Sequence, residues 1–138
     1  MSLSGAHLRS LGWVLLATVM SSILHYVDNL VFFHEYPEPP WINRAMIDAF
    51  WFVMTPLALA GWIAIKRGHP ASGLLLLLAY AGCNLLSLGH YLYAPLHAIS
   101  ARIHVFILLE SLLAVVLIVI VVRMAFAQLS SRLASGVK

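Results

Sequence analysis

Four long apolar stretches organise the chain, separated by short polar or proline-rich breaks. Residues 10–27 carry no formal charge, and apolar character continues past Asp28 to Phe33, so a first helix is predicted over about 11–33. The run from His34 to Trp41 holds Pro37, Pro39 and Pro40, which cannot continue a helix. A second helix is predicted over about 43–65, stopped by Lys66-Arg67-Gly68-His69-Pro70. A third runs over about 72–93 and ends before Pro95. A fourth covers about 100–127, leaving 128–138 as a polar tail or an extension of that helix.

Composition turns these helices into membrane spans. Of 138 residues, 62% are hydrophobic and 9% charged, whereas a soluble domain carries about a quarter charged residues. The expected fold is all-α, a polytopic membrane four-helix bundle forming one domain over 1–138. The first 30 residues have Arg9 as their one early basic residue, too long an apolar run and no small-x-small cleavage site, so a retained helix is expected rather than a signal peptide. Arg9, Lys66, Arg67, Arg123, Arg132 and Lys138 share the side of both termini, against Arg44 and Arg102 on the other. That bias predicts cytoplasmic termini in a multi-pass protein of a plasma or inner membrane. The net charge of +3 is then topogenic, and no nucleic-acid partner is expected. Cys83 is the single cysteine, which excludes a disulfide framework or a Cys-x-x-Cys site within one chain. Gly82 and Gly89 are expected to let helices approach closely. No phosphate-cradling loop or nucleophile elbow occurs.

The chemistry lies in where the ionisable groups fall. All five acids (Asp28, Glu35, Glu38, Asp48 and Glu110) and five of seven histidines (His25, His34, His90, His97 and His104) fall in the non-cytoplasmic half. Such groups are costly in hydrocarbon, so they face a bundle interior and mark function. Ser21, Ser22, His25, Asp28 and Asn29 share one face of helix 1, and Asp48, Trp51, Phe52, Thr55 and Trp62 one face of helix 2. Pro56 is expected to kink helix 2 and free a carbonyl into the cavity. Helix 3 offers Asn84, Ser87, His90 and Tyr91; helix 4 offers His104 and, deeper, Glu110. Burial of Glu110 raises its pKa unless His25, His90 or His104 stands beside it. Arg44 and Arg102 are available to neutralise Asp48 or Glu110, or to bind an anionic headgroup, while His34, Glu35 and His97 belong to the solvated interface.

Trp13 and Asp28 on helix 1, Pro39-Pro40-Trp41 before helix 2, Asp48 and Pro56 within it and the Lys66-Arg67-Gly68 turn resemble the EXPERA group of four-helix membrane proteins. That group includes the sigma-2 receptor and the emopamil-binding sterol isomerases. The likeness covers about the first half of the chain. It implies a cavity open laterally to lipid, a sterol-like or amphipathic cationic ligand, and acids from helices 1 and 2, matched by Asp28 and approximately by Asp48. The isomerases' His and Glu pair within one helix turn is not at its expected place, which weakens the case for isomerase activity more than that for binding.

Three functions fit these residues. The first is a pocket for an isoprenoid- or sterol-like molecule drawn from membrane lipid, with acid–base isomerisation or cyclisation and no cofactor. Glu110 or Asp48 would protonate an alkene, His25 or His104 would act as base or proton partner, and Trp41, Trp51 or Tyr91 would face the carbocation. Asp28 joins the catalytic candidates, and His90, Asn29, Trp51, Thr55, Asn84 and Tyr91 are ligand-binding candidates. Against this stands plain interhelical hydrogen bonding, which more commonly employs Ser, Thr or Asn. The second is a zinc, iron, copper or haem site using His25, His90 and His104; His25-x-x-Asp28 is the nearest thing to the Glu-x-x-His pair of di-metal bundles. The third, a transporter or proton relay formed by a homo-oligomer, needs a polar path across the apolar cytoplasmic halves.

Overall fold

The computed structural model describes residues 5–136. Four α-helices follow one another: α1 (Gly5–Val31), α2 (Arg44–Lys66), α3 (Pro70–Asn84) and α4 (Ala101–Gly136). A 3₁₀ segment, Leu85–Leu92, continues α3, and there is no strand among the described residues. Four helical spans, Gly5–Val31, Arg44–Lys66, Pro70–Leu92 and Ala101–Ser131, are long and apolar enough to cross a membrane. The chain is a multi-pass membrane protein.

The local sequence explains the helix ends. α1 starts before the apolar run, because Ala6, Leu8 and Arg9 are good helix formers. Asn43 caps α2, its side chain accepting from the Met46 amide at 3.1 Å. Pro70 opens α3 at a position where a missing N–H costs nothing. Gly68, at φ 85°, makes the turn between α2 and α3. The expected tail continues α4 to Gly136; Lys138 lies outside the described residues.

Steps of four and three residues place one seam on each helix. In α1 the seam is Leu11, Leu15, Thr18, Ser22, His25 and Asn29; in α4 it is Ile103, Ile107, Glu110, Ala114, Leu117, Val121 and Met124, all buried. This is the spacing of left-handed bundles. His25 and Glu110 therefore occupy positions that packing alone would fill with apolar residues. Two apolar clusters flank them. The larger includes Leu11, Ala58, Leu77, Leu117 and Val121 toward the end bearing Lys66 and Arg67, hereafter the basic end. The smaller gathers Tyr36, Ile99, Ile103 and Ile107 at the opposite end.

Gly61 and Gly73 clamp α2 against α3. A Cβ on Gly73 would lie 2.5 Å from Ile65 Cγ1 and 2.6 Å from the Gly61 carbonyl oxygen. The expected contact points, Gly82 and Gly89, have open space instead, since a Cβ on either meets nothing within 4 Å. Toward the other end the pair parts, and the 3₁₀ segment at most grazes α2. Pro56 sits inside a helix that continues past it. The amide it lacks would have served the Phe52 carbonyl, and Phe52 is no part of the cavity wall, so no freed carbonyl enters the cavity.

Candidate functional site

Where α2 and the 3₁₀ segment separate, a cavity of about 430 Å³ opens. α1 supplies Ser22, His25, Tyr26 and Asn29; the loop before α2 supplies Glu38 and Trp41. Met46, Phe50, Trp51 and Met54 of α2 face Cys83, Asn84, Leu86, Ser87 and His90, and Glu110 of α4 closes the wall. Phe50, Met46 and Leu86 are exposed at the rim. In a bilayer that exposure meets lipid, so the cavity opens sideways.

The 3₁₀ segment shapes one wall. Sequence reasoning predicts α-helix to residue 93, whereas the structure tightens at Leu85. Asn84 donates from Nδ2 to the Tyr80 carbonyl at 2.7 Å, and Ser87 donates from Oγ to the Asn84 carbonyl at 2.8 Å, local bonds that compete with the α-helical ladder. At three residues per turn, positions three apart eclipse. Asn84, Ser87 and His90 thus line up on the cavity, while Tyr91, which an α-helix would bring to Asn84's face, turns away.

The centre of the site is a buried pair. Nδ1 of His25 and Oε2 of Glu110 share a hydrogen bond, and the two residues are 6% and 5% exposed. The Nε2 of His25 is buried without a partner. Its ring stacks on Tyr36, with centroids 5.6 Å apart, and stands 5.6 Å from the His90 ring. His90 donates from Nδ1 to the Pro37 carbonyl at 3.3 Å and lies 3.6 Å from Oε1 of Glu38. Asn29 donates to that same Glu38 oxygen at 2.8 Å. Glu38 and Tyr26 are wall residues that sequence reasoning missed as site members; for Glu38 a signal existed. The available signal was its place among prolines, which hold the loop rigid enough to return a carboxylate over the bundle.

Other expected members stand elsewhere. Asp28 accepts from the Tyr36 hydroxyl at 2.7 Å and from Arg102 at 2.9 Å, and Arg102 also binds Glu35 at 2.6 Å. Asp28 is thus a fastener of the loop and not a cavity acid, and Arg102 neutralises Asp28 and Glu35 rather than Glu110. Burial first, and the Asp28 hydrogen bond second, push the Tyr36 phenol above its ordinary range. Asp48 accepts from the Tyr26 hydroxyl at 2.5 Å beside the Tyr26–Trp51 stack, outside the cavity wall. The buried stripe of α2 is Met54, Ala58, Gly61 and Ile65, and the face bearing Asp48, Trp51, Thr55 and Trp62 lies beside it, about a quarter turn round the helix. Trp62 lies against Gly12 on the same α1–α2 side. Thr55 does not reach the cavity, and Trp13 is exposed.

His104 is removed from both the catalytic and the metal-ligand sets. Its Nε2 donates to the Leu96 carbonyl at 3.0 Å, so Nδ1 is left to accept from the Tyr91 hydroxyl, also at 3.0 Å. Nε2 thus ties down the loop before α4, and Nδ1 the end of the 3₁₀ segment. The His25, His90 and His104 triad therefore does not converge, and no group of three His, Cys, Asp or Glu residues among those described is placed to hold a metal ion. What converges is His25, Glu110, His90, Asn29, Asn84 and Trp51.

No family model, curated protein or solved structure matches this chain.

Proposed function

We propose that the cavity binds an isoprenoid- or sterol-like molecule from the surrounding lipid and isomerises or cyclises it by acid–base chemistry. The observation that carries this reading is the buried His25–Glu110 pair on the wall of a cavity that opens sideways between α2 and the 3₁₀ segment. A histidine held through Nδ1 by a carboxylate is an oriented proton carrier whose other nitrogen faces the work. In a double-bond shift, His25 gives a proton from Nε2 to one alkene carbon, and the lone pair so freed on Nε2 takes a proton back from the neighbouring allylic carbon. No electrons are exchanged and the net proton count is zero. Glu110 keeps the ring oriented and offsets the imidazolium charge. Trp51, Trp41 and Tyr26 face the cation formed between the two transfers. The resemblance to EXPERA proteins points the same way, with the His25–Glu110 pair joining α1 to α4 instead of lying within one helix turn. The basic end is placed in the cytoplasm of a plasma or inner membrane, which sets the cavity in the outer half.

The test is proton exchange. Full-length protein in nanodiscs is incubated in D₂O with lipids extracted from its own membrane, and apolar species are screened by mass spectrometry. One compound gaining a single deuterium or changing retention time with wild type, and not with Glu110→Gln or His25→Phe, is the expected result. Unchanged lipids with every variant would sink the catalytic reading.

A further inference from the structure

His25 and Asn29 stand one turn apart on α1, and both wall the cavity. Each has one polar atom engaged and one without a partner. His25 holds Glu110 through Nδ1, leaving Nε2; Asn29 donates to Glu38 through Nδ2, leaving Oδ1; both remaining atoms are buried. The Asn29 amide cannot be reversed, because that would set its oxygen against a carboxylate oxygen. Its Oδ1 is an acceptor in every state. The Nε2 of His25 accepts when the ring is neutral and donates when the ring is an imidazolium. With the ring an imidazolium, a hydroxyl meets both atoms, accepting from Nε2 and donating to Oδ1; with the ring neutral, its single proton serves one acceptor and leaves the other. An ether or ketone gives nothing to Asn29, and an amine in its cationic form has no lone pair for the imidazolium. The two carboxylates on the wall, Glu110 and Glu38, already hold His25 and Asn29. Across the cavity Asn84, 1% exposed, repeats the pattern: its Nδ2 is bound to the Tyr80 carbonyl and its Oδ1 has no partner.

We infer that His25 Nε2 and Asn29 Oδ1 anchor the hydroxyl of a neutral apolar alcohol whose body lies along Trp51 and Phe50 toward the rim. This rests on the ligand class of the proposed function and specifies its head group; the hydroxyl occupies Nε2 in the bound state, so an alkene carbon can take the Nε2 proton only once the hydroxyl has left that atom. Prenyl alcohols and sterols share that chemistry, and the probes distinguish them.

Cys83, the chain's one thiol, lies on the cavity wall and reports occupancy. Full-length protein in phosphatidylcholine nanodiscs is alkylated with N-ethylmaleimide in the presence of farnesol, farnesyl methyl ether, farnesylamine or farnesene, and of cholesterol or its methyl ether. The expected result is that one alcohol slows alkylation at roughly tenfold lower concentration than its ether or hydrocarbon, as one good hydrogen bond allows. In Asn29→Leu that preference disappears while the hydrocarbon protects as before. Equal protection by alcohol and hydrocarbon, a stronger effect of the amine, or a preference that persists in Asn29→Leu overturns the anchor and leaves the cavity reading standing. Failure of every probe to slow alkylation overturns both. Should Asn29→Leu not fold, the wild-type series still decides.

Discussion

His25 and Glu110, buried on different helices, form the pair on which the proposed chemistry rests, and its energetics are testable at the level of single residues. Removing one partner of a buried pair leaves the other without compensation, at a cost of about 3–5 kcal/mol, while removing both together costs less than the two single losses added. Glu110→Leu and His25→Phe are each expected to destabilise the protein, and the double variant by less than their sum, with a coupling of about 1–3 kcal/mol. Reversible unfolding in mixed micelles measures the cycle; additive effects would mean that the pair is not formed. Tyr36 gives a second test at this scale. Its folded pKa lies above the unfolded value of about 10, so the phenol is favoured in the folded state. Its contribution is complete below pH ~10 and declines as pH climbs beyond that value. Wild type should lose stability above that pH more steeply than Tyr36→Phe. Parallel losses in an alkaline stability series would count against the buried Tyr36–Asp28 bond.

At the scale of elements, the existence of four helices and their breaks was legible because apolar runs, prolines and basic turns act locally. The inner face of α1 was legible as well, since Ser22, His25 and Asn29 recur at helical spacing; that of α4 was not, because the uniformly apolar run 112–122 reads as lipid-facing, whereas Ala114, Leu117 and Val121 within it are buried. What else was not legible depends on handedness and on side chains choosing among partners. An α-helical reading of residues 84–93 groups Tyr91 with Asn84; the 3₁₀ turn groups His90 instead. Asp28 looked like a cavity acid until Arg102, 74 residues away, and Tyr36 in the following loop claimed it. The glycines show the same limit, because a small residue permits close approach only where a neighbour is present. Gly73→Val is therefore expected to destabilise the α2–α3 pair by about 1–3 kcal/mol, as overpacking does. Gly82→Ala, with open space around its Cβ, should be neutral or slightly stabilising. Thermal unfolding in detergent compares them, and equal effects would contradict the Gly61–Gly73 clamp.

For the whole molecule, the direction of the cavity depends on which end of the bundle faces the cytoplasm. Lys66 and Arg67 are exposed at the basic end. The two arginines near the other end are held by neighbouring side chains. Arg102 forms ion pairs with Asp28 and Glu35 and lies 3.6 Å over the Phe32 ring, and Arg44 sits 5.6 Å from the Phe33 ring. Lys66, Arg67, Arg9 and Arg123 outnumber Arg44 and Arg102 by count, and the positive-inside rule, which counts Lys and Arg, predicts the cytoplasm at the basic end. In a Cys83→Ser background, Pro40→Cys should react with a membrane-impermeant maleimide in intact cells, and His69→Cys only after permeabilisation. The reverse pattern would turn the bundle over and place Glu38, His90 and the mouth of the cavity in the cytoplasmic leaflet. Its ligand would then have to be drawn from that leaflet, and the donor side of any proton exchange would be the cell interior.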